Sequence, residues 1–378
     1  MNAVTIRPVI TKADKMAFLK VPFSIYANDP NWVAPLFLER LEHLNLKKNP
    51  YFEHAEAQLF IAEQNGKPVG RISAQIDQLH LERYKDATGQ FGFLEAHNEL
   101  AIFKALFEAA ETWLRGKGMK RVLGPFSFSI NDEMGLLIKG FDTPPNMMMG
   151  HGTPFYAAHV EANGFRKIKD VLAYTHDREK FLPPAIDRLY TRGMASGDVV
   201  IRPLNKSDIK NEIKIIMDIF NDAWSDNWGF IPFTNAELQA LATNLKMLVR
   251  SEAVQIASYR GEYAAFIVTL PNLNEWIAGM NGKLLPFNWI KLVGKLITKK
   301  SNSFRVPLMG VRKKFKDGVL GSALSIGLSK TVGEFHRSRG ATSAEMSWIL
   351  EDNMGMRHIM ETIGATAYKT YRVYEKQL

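Results

Sequence analysis

Two stretches of this 378-residue chain hold residue types that can do chemistry. The first, Gly124 to Phe165, reads "GPFSFSINDEMGLLIKGFDTPPNMMMGHGTPFYAAHVEANGF". It gathers Asn131, Asp132, Glu133, Asp142, His151, Tyr156 and His159 within a short length of chain. Burial tunes a Glu or His towards neutrality, where it serves as a general base, so such a cluster suits proton transfer. Each residue alone has a plainer reading. Asn131 and Asp132 can cap a loop, the histidines can sit at the surface, and the methionines can fill a core or line an apolar tunnel. The second stretch is "FKDGVLGSAL", Phe315 to Leu324, with two glycines three residues apart ahead of a helical pattern. Bare backbone N–H groups at a helix start attract an anion, and Lys316 and Ser322 add donors there. The alternative is an ordinary glycine-rich turn.

Composition narrows the field. There are no cysteines, which excludes disulfides, thiolate metal sites and a cysteine nucleophile. No Walker loop, GxGxxG or HExxH occurs, so NTPase, dinucleotide-redox and zincin readings lack support. The early charges Arg7, Lys12, Asp14 and Lys15 do not read as a signal peptide, and no uninterrupted apolar run is long enough to span a membrane. Net charge is +9, and Trp276 to Lys316 carries ten cations and no acid, which leaves −1 for the rest. A solvated face explains such a run, and so does contact with an anionic cofactor, an acidic carrier protein or a membrane surface. Within it, Leu284 to Lys300 interleaves lysines with Leu285, Phe287, Trp289, Ile290, Val293, Leu296 and Ile297. That pattern fits an interfacial helix or a packed helix with snorkelling lysines. A nucleic-acid role would rest on charge alone, with no reader motif, and is not expected.

The elements that must position these residues occur twice. "VTIRPV" at Val4 returns as "VVIRPL" at Val199, and Gly66 and Gly261 mark hairpin turns at the same offset of 195. "EANGFRKIKDVLAY" at Glu161 matches "ETIGATAYKTYRVY" at Glu361, which pairs Glu161 with Glu361, Gly164 with Gly364 and Tyr174 with Tyr374. Three matches in one order indicate a tandem duplication. Each copy reads as strand, helical region, hairpin, long helix, strand, short helix and closing strand. The long helix is expected over Leu100 to Arg115 in one copy and from Leu320 to Phe335, before Gly340, in the other. The expected class is α+β, two tandem domains of mixed sheet flanked by helices. The boundaries are 1–178, a linker at 179–198, and 199–378, the last holding the basic segment 276–316.

That element order, with a glycine loop between a strand and a long helix, resembles the GNAT acyltransferase superfamily. The family's pyrophosphate loop reads Arg/Gln-x-x-Gly-x-Gly/Ala; here Lys316 takes the basic place, Val319 replaces the first glycine, and Gly321 holds the second. Gly318 departs from the pattern. "SWILEDNMGMRHIMETIGA" is similar to the strand and helix that follow in GNAT proteins, with Asn353 where the family often uses an asparagine near the pantetheine. Asn353 also reads as a plain helix cap. The family's frequent tyrosine acid is Met360 here. Over nearly the whole chain, "VPFSIYANDPNWVAPL", "GPFSFSIN", "GFDTPP", "MMGH", "AWSDNWGF" and "SWILEDN" resemble a bacterial group of tandem GNAT-like proteins that includes the ceramide synthases.

The resemblance implies an N-acyltransferase that moves a long-chain acyl group from acyl-CoA or acyl carrier protein to an amine, a sphingoid base such as 3-oxosphinganine. No metal is implied. Glu133 or His151 is expected to take the amine proton, Tyr156 to protonate the leaving thiolate, and Asn131 to stand in the same cluster. The strand "VPLMGV" should offer a backbone N–H near Gly310 or Val311 to the thioester oxygen. Lys316, Gly318, Gly321, Ser322 and Asn353 are expected to hold the donor. A cytoplasmic protein, peripheral on the inner membrane through 284–300, fits this reading. The rivals are an acetyl-CoA-dependent enzyme acting on a small amine or peptide, and a non-catalytic acyl-CoA or carrier-protein binder.

Overall fold

The computed structural model describes residues 3–177, 184–195 and 197–378; the rest of the 179–198 linker lies outside the described residues. In chain order the elements begin with β1 (Thr5–Pro8), α1 (Lys12–Ile25), α2 (Phe37–His43), β2 (Ala55–Gln64), β3 (Lys67–Asp77) and α3 (Gln78–Tyr84). They continue through β4 (Thr88–Ala96), α4 (Leu100–Gly116), β5 (Arg121–Gly124), β6 (Leu136–Lys139), α5 (Tyr156–Ala162), β7 (Arg166–Asp177) and α6 (Pro184–Met194). Next come β8 (Val199–Pro203), α7 (Ile209–Trp224), α8 (Asn235–Leu248), β9 (Val254–Tyr259), β10 (Glu262–Pro271), α9 (Leu273–Ile277) and α10 (Asn288–Thr298). The last are β11 (Ser303–Val311), α11 (Gly318–Ser338), β12 (Ser343–Leu350), α12 (Met354–Thr362) and β13 (Thr366–Gln377). They fold into two compact units. One is Met1–Val171 with Ile277–Asn288 and Lys369–Leu378; the other is Leu172–Trp276 with Trp289–Tyr368.

In the first unit, strands run in the order β1-β2-β3-β4-β5. The β2–β3 hairpin turns at Asn65-Gly66 as its sequence requires. Helix α4 covers this sheet with Phe103, Leu106, Phe107, Ala110 and Leu114, the face its periodicity marks, all fully buried. Strand β4 pairs in parallel with β5 only over Thr88 to Gln90; beyond that the two part. The segment after β5 fills the gap. Phe126 N–H donates to Phe91 O at 2.7 Å, Phe93 N–H to Ser127 Oγ at 3.2 Å, and Gln75 Nε2 to Phe126 O at 2.6 Å.

The sequence places a closing strand at the end of each copy. From Lys369 onward, however, β13 belongs to the first unit, antiparallel to β5 with Tyr374 opposite Gly124. Polar contacts fix it there: Arg372 to Asp170 at 2.9 Å, Lys376 to Glu111 at 2.6 Å, and Tyr374 Oη to Glu161 at 3.0 Å.

The second unit repeats the plan with β8, β9 and β10 antiparallel, β10 antiparallel to β11, and β11 parallel to β12. Leu324, Leu328 and Val332 of α11 pack on Ala257, Ala264 and Ile267. Strands β11 and β12 pair only from Ser303 to Val306, after which β11 continues to Val311 against β10 alone. Below the parting lies a buried ion pair. Arg305, 1% exposed, faces Glu345 at 3.6 Å and stacks on Trp348; Ser347 Oγ accepts from Arg305 at 2.8 Å and donates to Glu345 at 2.6 Å.

Candidate active site

In the first unit the parted end of β4 carries Glu95, largely enclosed by Tyr26, Tyr156 and Arg71. Tyr26 and Tyr156 both donate to Glu95 Oε2 at 2.7 Å, and Arg71 Nη2 lies 3.8 Å from Oε1. Ala96 N–H donates to Tyr156 Oη at 3.1 Å. Burial pushes the Glu95 carboxyl up, against the downward pull of Arg71 and the two phenols. Burial, followed by the charge of Glu95, drives both tyrosines well above their ordinary value. Tyr156 is therefore a hydroxyl committed to Glu95 and to backbone.

Beside this cluster, the Tyr26 ring meets the His151 ring edge-on at 5.2 Å. His151 Nε2 lies 2.7 Å from Asp29 Oδ2, and Asp29 Oδ1 accepts from Asn31 N–H at 2.8 Å. His151 Nδ1 is buried and meets no hydrogen-bond partner among the described residues. Asp29 thus favours the tautomer with the proton on Nε2 and the lone pair on Nδ1. Burial lowers the pKa of His151 below 6.5, more than Asp29 raises it, so the ring is neutral at pH 7 and able to accept a proton.

The "SINDE" residues are held by other partners. Glu133 Oε1 takes Arg40 Nη1 at 2.9 Å, and Arg40 is also clasped by Glu39. Asn131 N–H donates to Ser129 Oγ at 3.1 Å. The Asp132 carboxyl is raised by burial. His159 stacks on Phe103 and meets Asn98 at 2.7 Å, and Asp142 is exposed. Sequence reasoning missed Glu95, Tyr26, Arg71 and Asp29. Glu95 and Arg71 did leave a signal: each is a charged residue inside an otherwise apolar strand reading, "GQFGFLEA" and "PVGRISAQI".

In the second unit, Arg312 N–H bonds Ala264 O of β10 at 2.9 Å. Backbone groups alternate sides along a strand, so Gly310 also faces β10 while Met309 and Val311 face the parted edge. Met309 O accepts there from Trp224 Nε1 at 2.9 Å. Of the two predicted donors, Val311 is the one whose N–H points into the gap. Helix α11 then starts at Gly318 behind Asp317, whose side chain makes no cap bond. Gly318 has φ +72°, a left-handed conformation, and a Cβ on Gly321 would stand 2.0 Å from Lys316 O. Both glycines are therefore needed to draw the chain tightly over the helix start. Lys316 is exposed, and no carboxylate among the described residues pairs with it, whereas Arg312, Lys313 and Lys314 pair with Asp218, Asp226 and Glu262. Ser322 Oγ donates to Gly318 O at 3.1 Å, so its proton is used inside the helix. Asn353 Oδ1 caps α12 through Met356 N–H at 3.1 Å, and Met360 is buried. In the first unit α4 begins with Glu99 at the cap position, an acid where the loop of the second unit offers a cation.

No family model matches the chain. It is 46% identical over 376 residues to the bacterial ceramide synthase of Caulobacter vibrioides, covering 99% of this chain and 98% of that protein. The chain belongs to the bacterial ceramide synthase family. Its relatives in that family include protein YghO of Escherichia coli, 45% identical over 374 residues, with 99% of this chain and 95% of the relative covered. Solved structures of like fold include a tandem GNAT protein from the clavulanic acid biosynthesis pathway, with TM-score 0.58, 11% identity and 99% and 98% coverage. A GCN5-related N-acetyltransferase from Sphaerobacter thermophilus gives TM-score 0.56, 10% identity and 99% and 95% coverage. The family member described here is thus an N-acyltransferase built on the tandem GNAT fold, the α+β class its sequence led us to expect. No described helix is long and apolar enough to cross a membrane.

Proposed function

We propose that the protein joins a long-chain acyl group to the amine of a sphingoid base, 3-oxosphinganine by preference, to form the amide of a ceramide. The amine nitrogen attacks the thioester carbonyl carbon, the C–S bond breaks, the thiolate departs, and the amine proton goes to His151 Nδ1. The observation that carries this mechanism is the His151–Asp29 pair, half-buried, with the enclosed ring nitrogen Nδ1 open. Glu133 is engaged by Arg40, and Asn131 shapes its turn. Tyr156 acts by holding Glu95 and not as the acid. A thiolate needs little help to leave, since a thiol ordinarily titrates near ~8.5.

The donor is acyl-CoA, or the phosphopantetheine arm of an acyl carrier protein. Lys316 and the α11 start at Gly318 and Gly321, with the Ser322 oxygen in its first turn, support a phosphate-bearing donor, and Asn353 is assigned to the pantetheine arm by the family resemblance. The sphingoid acceptor rests on the 46% identity to a protein named for ceramide synthesis. Both substrates are lipids, so the reading sets the reaction at the cytoplasmic face of the inner membrane. The test is mass spectrometry of products from palmitoyl-CoA and 3-oxosphinganine. An alkali-stable amide is expected. Free fatty acid alone, or an acetyl amide formed only from acetyl-CoA and a small polar amine, would overturn it.

A further inference from the structure

We propose that α10 is an interfacial anchor that lays its apolar face into an anionic lipid surface. The inference rests on the lipid-substrate reading above and adds the element that meets the bilayer. Among the described residues α10 has no buried side chain, although four of its eleven residues are large and apolar and face outward. Trp289 is 48% exposed, Ile290 53%, Val293 44% and Ile297 70%. At about 100° per residue these four fall within an arc of about 100°, one stripe of the helix. Lys291 and Lys295 lie on the face opposite the stripe, and Leu292 and Leu296, half-buried, lie between the lysines and Trp289 on the packed side. The helix is fastened by its polar end. Lys299 Nζ donates to Val249 O at 3.1 Å, and Arg339 donates to Thr298 O at 2.5 Å.

Charge selects the occupant. Four of the ten cations in the acid-free segment are paired. Arg305, Arg312, Lys313 and Lys314 each face a carboxylate within the second unit. Lys291 and Lys295 on α10 have none among the described residues, and no Asp or Glu lies nearby in sequence to neutralise them. Lysines on the face opposite a stripe of Trp and aliphatic side chains give the amphipathic pattern of a helix lying in an anionic bilayer surface, its apolar face towards the acyl chains and its cations at headgroup level. An acidic protein would satisfy the lysines but not the stripe.

The test is co-sedimentation of the full chain with phosphatidylcholine vesicles, with and without phosphatidylglycerol. It needs no acyl donor and no turnover, so its failure is separate from failure of the proposed reaction. We expect binding only with phosphatidylglycerol, weakened by salt. Lys291→Gln with Lys295→Gln should weaken it about thirtyfold. Ile290→Ser with Ile297→Ser should weaken it at least about tenfold. Circular dichroism checks that the variants keep their fold. Binding that ignores the serine substitutions would overturn insertion. No binding to either vesicle, or lysine-dependent binding to acyl carrier protein instead, would overturn the proposal.

Discussion

The hydroxyl of Tyr374 donates to Glu161 at 3.0 Å, joining the last strand of the chain to a helix two hundred residues earlier. Tyr174 makes the reciprocal contact, donating to Glu361 at 3.4 Å. The two duplicated closing motifs have exchanged partners. A fragment ending at residue 178 therefore lacks Lys369–Leu378, leaves the β5 edge open, and strips buried Glu111 of Lys376 and Asp170 of Arg372. Glu111 keeps Arg115 and Asp170 keeps Lys167, so the chief loss is the strand that closes the β5 edge. We expect fragment 1–178 to show no cooperative melt while the full chain does. A cooperative melt of the fragment would contradict the exchange.

His151 and Asp29 should separate from Glu133 in kinetics. His151→Ala is expected to lower kcat by about 10²–10⁴-fold, while Glu133→Gln changes it much less. Because burial holds the His151 pKa below 6.5, the acid limb of kcat/KM should lie below that pH. Asp29 pulls this pKa up, so Asp29→Asn should move the limb to still lower pH while lowering the plateau. A pH–rate profile decides it; an unmoved limb in Asp29→Asn would remove His151 as the base.

Glu95 and Gly310 hold the same place in their two sheets. Glu95 pairs across from Arg71 and Gly310 across from Phe266, and Arg71 and Phe266 are related by the repeat offset of 195. Only the first unit keeps a carboxylate there, and burial raises it above its ordinary 4.5. In the window from 4.5 up to the folded value the native state binds more protons than the unfolded one, so stability falls as pH rises. Glu95→Gln should flatten that fall. Urea midpoints from pH 4 to 8 would show the variant's stability relative to the parent rising with pH; a constant difference would contradict it.

The loop before α11 makes a sharper demand. Gly321→Ala places a Cβ against Lys316 O, so the loop must open, at a cost of about 1–3 kcal/mol. Lys316→Ala leaves the backbone alone and removes one cation. Calorimetry with CoA should show Lys316→Ala weaker by about tenfold, in a salt-dependent way, and Gly321→Ala weaker still. Unchanged CoA affinity in both would mean an ordinary glycine turn.

Periodicity made α4 and α11 legible, and the repeat made the hairpins and closing strands legible, because each is local in sequence. The exchange was not legible: the Glu-to-Tyr spacing is the same whether Tyr374 meets Glu361 or Glu161. Of the site, His151 stood out as a histidine in a polar cluster. Its partner Asp29 is 122 residues away, and nothing near it in sequence points to a histidine. Glu133 looked like a free base because nothing near it in sequence announces Arg40, 93 residues distant.

The central claim is amide formation from a long-chain thioester and a sphingoid base, with His151 taking the proton. Thiol release from palmitoyl-CoA and from acetyl-CoA, with and without 3-oxosphinganine, tests it directly, and the absence of cysteine removes background from the thiol reagent. Release with palmitoyl-CoA only when the base is present, and lost in His151→Ala, is the predicted result. Release with acetyl-CoA and a small polar amine instead, or full release in His151→Ala, would contradict it.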